Sequence, residues 1–137
     1  MTYTKIFLCC LCCLMLCVLG IAGCTSNTST SSGYGEGGGY SINLTTTNSL
    51  LPQTGKATLI ATVRDAQNNP VNDSTRGVTF SSSQGGTFST NNSINLGDCT
   101  VIYTPPSATT LPAVVTDQIT ASYQGAFAYV SIEVYKQ

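Results

Sequence analysis

Histidine is missing from all 137 residues, and charge is scarce: five Lys and Arg against six Asp and Glu, 8% of the chain. Without an imidazole, the abundant Ser and Thr hydroxyls have no ordinary base to activate them, which argues against a serine nucleophile. So few cations form no cluster that would neutralise a phosphate backbone, so nucleic acid is excluded as a partner. The same scarcity denies the chain electrostatic attraction to anionic lipid. Helical periodicity is absent too, since no stretch repeats its apolar residues every 3.6 positions between caps. Cysteine is rare where it would matter for folding. Of seven, five lie between Cys9 and Cys17, the sixth is Cys24, and only Cys99 lies beyond.

The N-terminal cysteines belong to an apolar run. After Lys5, the fourteen residues from Ile6 to Leu19 carry no charge and no strong turn former, the layout of the n-region and h-region of a secretory signal. The apolar stretch extends to Ala22, seventeen residues in all, at the lower limit for crossing a hydrocarbon core of about 30 Å. Length alone therefore admits a signal or a membrane anchor. The sequence Ile21-Ala22-Gly23-Cys24 resembles the lipobox of bacterial lipoproteins: a branched apolar residue, two small residues and a cysteine whose thiolate accepts diacylglycerol. That resemblance implies a signal peptide over residues 1–23, cleavage before Cys24, and a membrane partner engaged through lipid on Cys24. Each buried acyl methylene contributes about 0.8 kcal/mol to that anchoring. Thr25 stands where the sorting rule of enteric bacteria would place aspartate for inner-membrane retention, which implies the outer membrane. Cys99 would then be the one free thiol, and an intramolecular disulfide is impossible despite an oxidising compartment.

Beyond Cys24, Lys56, Arg64, Arg76 and Lys136 face Glu36, Asp65, Asp73, Asp98, Asp117 and Glu133, four cations against six carboxylates and a side-chain charge of −2. Residues 24–39 are Cys24 followed by Ser, Thr and Gly with one asparagine, one tyrosine, one glutamate and no aliphatic side chain. Such a segment buries too little apolar surface to offset its backbone entropy. It predicts a flexible tether with an r.m.s. reach of roughly 20–24 Å.

The remaining 98 residues, 40–137, match the roughly 100 of an immunoglobulin-type sandwich, and their pattern has period two. Ala57, Leu59, Ala61 and Val63 share one face, with Ile60 the exception on the other. Val78 and Phe80 repeat the alternation, as do Cys99, Val101 and Tyr103, then Ile119, Ala121 and Tyr123, then Ala128, Val130, Ile132 and Val134. Asn-Pro, Gly-Gly, Asn-Asn, Pro-Pro and Gln-Gly separate these runs with turn chemistry. The expectation is an all-β, immunoglobulin-like antiparallel sandwich of about seven strands.

Three stretches carry a family resemblance: ATLIATVRDAQNNPVNDSTRGVTFSSSQGGTFST, then LGDCTVIYTPP, then DQITASYQGAFAYVSIEV. Over about Ile42 to Val134 the chain resembles the bacterial immunoglobulin-like domains of the invasin and intimin type. Their pattern runs from a strand ending in Val-x-Asp through a Gly-Asn-Pro-Val turn, a Val-x-Phe strand and a Gly-x-Ala-x-Val strand to an Ile-Thr-Ala hairpin. Asn68 stands in place of the family's glycine and Cys99 in place of its alanine. Asparagine tolerates a positive φ, so the turn is expected to survive the first change. The resemblance implies an adhesion or protein-interaction role.

The candidate site residues are few. Asp65, Asn68 and Asn69 sit together near a turn. Calcium would need several convergent oxygens, whereas an Asp before a turn more often binds its own backbone, so turn capping is expected and no metal. Asp65 with Asp117 is the one conceivable acid–base pair, but no cleft signal accompanies it, and no catalytic residue or cofactor is predicted. Cys99 is expected to point inward as an inert thiol. On the last strand, Phe127, Tyr129 and Tyr135 fall opposite the core set. Outward aromatics either anchor a protein or glycan partner or cover a neighbouring strand or loop. A non-catalytic, lipid-anchored envelope domain follows, acting in adhesion or as a spacer, with a small carbohydrate-binding module as the alternative.

Overall fold

The computed structural model of the protein describes residues 31–107 and 112–137, which contain nine strands and no helix. The strands are β1 (Ser31–Gly37), β2 (Tyr40–Thr46), β3 (Leu50–Pro52), β4 (Ala57–Asp65), β5 (Thr79–Ser82), β6 (Thr87–Phe88), β7 (Asp98–Thr104), β8 (Val114–Tyr123) and β9 (Ala126–Tyr135). They form a five-stranded sheet in the order β1-β2-β4-β7-β6 and a four-stranded sheet in the order β3-β9-β8-β5. The cleavage site, Cys24 and residues 24–30 of the expected tether lie outside the described residues.

Alternation built these strands as expected. Side chains pointing to opposite faces at successive positions put Ala57, Leu59, Ala61 and Val63 of β4 indoors, with Cys99, Val101 and Tyr103 of β7 beside them. From the opposing sheet, Ile119, Ala121 and Tyr123 of β8 and Ala126 to Val134 of β9, every second residue, face them. Ile42, Leu44, Leu51, Val78 and Ile94 complete the core. Cys99 is fully buried, as its place on the inward phase of β7 required.

The connectivity is that of an immunoglobulin sandwich. β2, β4, β7 and β6 take the places of strands A, B, E and D, while β5, β8 and β9 take those of C, F and G. Nine strands are found where seven were expected, for two reasons. After β2 the chain crosses to the other sheet, where β3 pairs in parallel with the end of β9, Leu51 opposite Val134. The second addition is a correction to the expected tether. Residues 31–37 of it form β1, antiparallel to β2 from Ser31↔Thr46 to Gly37↔Tyr40. The absence of aliphatic side chains suggested no structure there, but backbone pairing and close packing of glycines do not need them.

Those glycines alternate. Gly33, Gly35 and Gly37 turn one face of β1 toward β9, where a Cβ would fall well under 3.0 Å from the carbonyl oxygens of Tyr129, Phe127 and Gly125, respectively. β3 covers the same edge of β9 only from Glu133 onward, so β1 closes the remainder of that side.

Candidate functional site

Asp117 lies on the inward phase of β8 and has no exposed surface. Its Oδ2 accepts from the Tyr103 hydroxyl at 2.5 Å and from Ser82 Oγ at 2.6 Å. Its Oδ1 accepts from Ser83 Oγ and the Gln84 backbone N–H, both at 3.1 Å. Ser82 Oγ in turn accepts from the Gly86 N–H at 2.7 Å. Four donors satisfy one buried carboxylate, as a buried charge requires. The contacts join β8 to β7 of the other sheet and to the β5–β6 turn. Burial first, and then the Asp117 carboxylate, push the Tyr103 hydroxyl well above its usual range. Phe88 stacks beside this node, 5.7 Å from the Tyr103 ring and 5.6 Å from Phe80.

Asp65 and Asp117 are not brought together. Asp65 ends β4 in the five-stranded sheet, where Oδ1 accepts from the backbone N–H groups of Gln67 and Asn69 at 3.0 and 2.8 Å. Oδ2 accepts from Asn69 Nδ2 at 3.1 Å. The Asn69 bonds are the chief reason its carboxyl is held below the usual range. Asn68 adopts φ 64° in the same turn, the left-handed backbone that a glycine would also supply. Asp65 caps a turn, as its position predicted. Asp73 does the same for Thr75 and Arg76, whose backbone N–H groups lie 2.9 Å from its Oδ1, and it also accepts from the Tyr123 hydroxyl at 3.0 Å. Burial above all, with that bond second, pushes Tyr123 up to about 12.

The outward face of β9 carries the candidate surface. Phe127 and Tyr129 are 58% and 55% exposed, two positions apart and so about 7 Å along the strand. Opposite them on β8 stand Ser122 and Thr120, and beyond those on β5 stand Thr79 and Ser81. Both rings keep more than half of their surface open, beside the half-buried Ser122 and Thr120. Tyr135 is separate from them: half-buried opposite Val114 and beside Pro52, it lies six residues or roughly 20 Å from Tyr129. On the other sheet, Tyr34, Glu36, Tyr40, Ser41, Asp65 and Asn68 line an open groove of about 530 Å³. Its carboxylates are committed to protein donors, since Glu36 accepts from the Tyr34 hydroxyl at 2.6 Å and Asp65 holds the turn. Among the described residues, no three His, Cys, Asp or Glu side chains cluster as a metal site would.

Sequence reasoning missed two features of these surfaces. Asp117 was visible as a carboxylate on the buried phase of a strand. The Gly-x-Gly-x-Gly alternation of residues 33–37 was visible as period two.

Fold and surface together define a two-sheet sandwich of immunoglobulin topology with one open aromatic pair. No family model matches the chain, and no curated protein matches it significantly. A solved structure of domains 4 and 5 of the S-layer protein SbsC is similar, with a TM-score of 0.44 and 15% identity over 72% of this chain. The chain spans 65% of that structure's length.

Proposed function

We propose that this chain is a non-catalytic interaction domain of the bacterial envelope, held to the outer membrane by lipid on Cys24, and that it meets its partner with the outer face of the four-stranded sheet. The anchor rests on Ile21-Ala22-Gly23-Cys24 and on the apolar run before it. The adhesive role rests on the invasin and intimin resemblance. The observation that carries the binding face is the open pair Phe127 and Tyr129, set on a flat field of Ser and Thr hydroxyls. An aromatic pair at the sheet edge, flanked on its β8 side by hydroxyls, suits a protein partner, in which large rings supply much of the binding energy. The hydroxyl field also favours the second reading, a glycan stacked on Tyr129.

The test is capture from intact envelope by the full chain, beside a chain carrying Phe127→Ser and Tyr129→Ser. Loss of the captured partner with stability unchanged to about 0.5 kcal/mol supports the reading. Equal capture by both chains sinks it. Soluble glycan that competes away the captured material would select the second reading. Cys24→Ala, labelled with a fatty-acid probe, tests the anchor separately: persistent label would remove it.

A further inference from the structure

The space between β2 and the uncovered edge of β9 is a strand-receiving slot, occupied in this structure by β1. One wall is the edge of β2, which pairs with β1 over seven positions. The other is the row of β9 carbonyls at Gly125, Phe127 and Tyr129, which meets the Cα groups of Gly37, Gly35 and Gly33. Close Cα–H···O approaches of this kind recur between neighbouring strands. A side chain at any of the three positions would collide with backbone, so the slot accepts glycine at alternate positions and refuses other sequences.

β1 is held by its backbone. It places no aliphatic side chain in the core, and Tyr34 and Glu36 project outward. Its link to β2 is only Gly38-Gly39, at φ 59° and 80°. Glycine leaves that turn as readily as it enters it, so opening the hinge costs little beyond the β1–β2 pairing and the backbone contacts with β9. β1 lies at one end of the fold's strand order and can depart without threading. Strand addition to an exposed edge and exchange of an identical element between copies are both established modes of association.

We infer that this slot is a homotypic docking site, in which β1 of a second copy of this chain takes the place of the resident strand. A second copy supplies the one sequence already shown to fit, with Gly33, Gly35 and Gly37 in register. This mode of association does not involve the outward rings of Phe127 and Tyr129, so it stands or falls apart from the binding face.

The experiment uses the full chain in detergent. Ser32 and Thr45 face each other across β1 and β2, so one chain carries Ser32→Cys and another carries Thr45→Cys. Mixed under mild oxidation, they should form a disulfide between the two chains whose yield rises with concentration. Adding Gly35→Ala to the Ser32→Cys chain should cut that yield by about tenfold or more, a difference worth about 1.4 kcal/mol. No mixed disulfide at any concentration, while both substitutions in one chain close an internal bond, overturns the inference. So does a yield indifferent to Gly35→Ala, which would mark random collision. If Gly35→Ala prevents folding, the synthetic peptide Ser31–Gly37 serves instead. It should suppress the mixed disulfide, and the same peptide with Gly35→Ala should not. Equal suppression by an unrelated glycine–serine peptide would show a slot for any glycine strand and overturn the assignment to a second copy.

Discussion

The two lateral edges of the sandwich are closed by opposite means. Where β5 meets β6, closure is by side chains: the Phe80, Phe88 and Tyr103 rings stack across the sheets, and the Asp117 carboxylate gathers donors from both. Where β1 meets β9, closure is by the absence of side chains, backbone lying on backbone along three glycines. The first edge gains from burial and hydrogen bonds in a low-dielectric interior. The second gains little from burial, and its glycines lose the most conformational freedom on ordering. One edge is therefore expected to act as a fixed clamp and the other to open first.

Removing the clamp's centre should give the largest effect. Asp117→Ala leaves the Tyr103 hydroxyl, two serine hydroxyls and the Gln84 N–H without their acceptor. It should cost on the order of 3 kcal/mol, read from denaturant melts. Tyr103→Phe removes one donor only and should cost about 1–2 kcal/mol. It also sharpens the comparison through pH. Because burial and Asp117 raise the folded Tyr103 pKa above its unfolded value near 10, the neutral hydroxyl's contribution is complete below that pH and is lost as pH climbs through the folded value. Tyr103→Phe should flatten the alkaline decline of stability without removing it, since Tyr123 is raised as well.

Cys99 stands between the two edges as a reference point. Buried between the two sheets, it should resist maleimide until denaturant is added, and Cys99→Ala should cost about 1 kcal/mol, as other small deletions in a core do. The glycine edge should respond least. Gly35→Ala is expected to lower global stability by about 1 kcal/mol or less while abolishing amide protection in β1, because a segment that opens by itself can be lost by itself. Hydrogen exchange decides this. A cooperative melt that falls as far as Asp117→Ala would show both edges to be clamps.

The same contrast explains what was legible in advance. β4, β7, β8 and β9 announced themselves because Leu59, Val101, Ile119 and Val130 sit every second place among polar residues. Hydrophobic alternation is the signal of a half-buried strand. β1 has the same period, yet its inward residues are glycines, which carry no hydropathy to alternate, so composition spoke for a tether. The order of the β1 segment comes from β2 and β9, distant in sequence. Asp117 was legible as inward-facing by its phase with Ile119 and Ala121, but its partners Ser82 and Tyr103 lie 35 and 14 residues away. The outward placing of Phe127 and Tyr129 could be read from the strand's period. Their openness could not, because it depends on Ser122 and Thr120 across the ladder.

The hairpin of β1 and β2 also has a mechanical meaning. Its closed end is Gly38-Gly39, and its open end is Ser31 opposite Thr46. A load on Ser31 directed across the sheet meets that pair first and the others in turn, so the strand peels under modest force instead of resisting until all seven pairs break together. Each residue freed lengthens the chain by up to about 3.3–3.6 Å, and the seven of β1 yield a slack of roughly 25 Å. That extension is drawn before tension reaches β2 and the buried core. Under such a load the glycine strand would give way before the sandwich does.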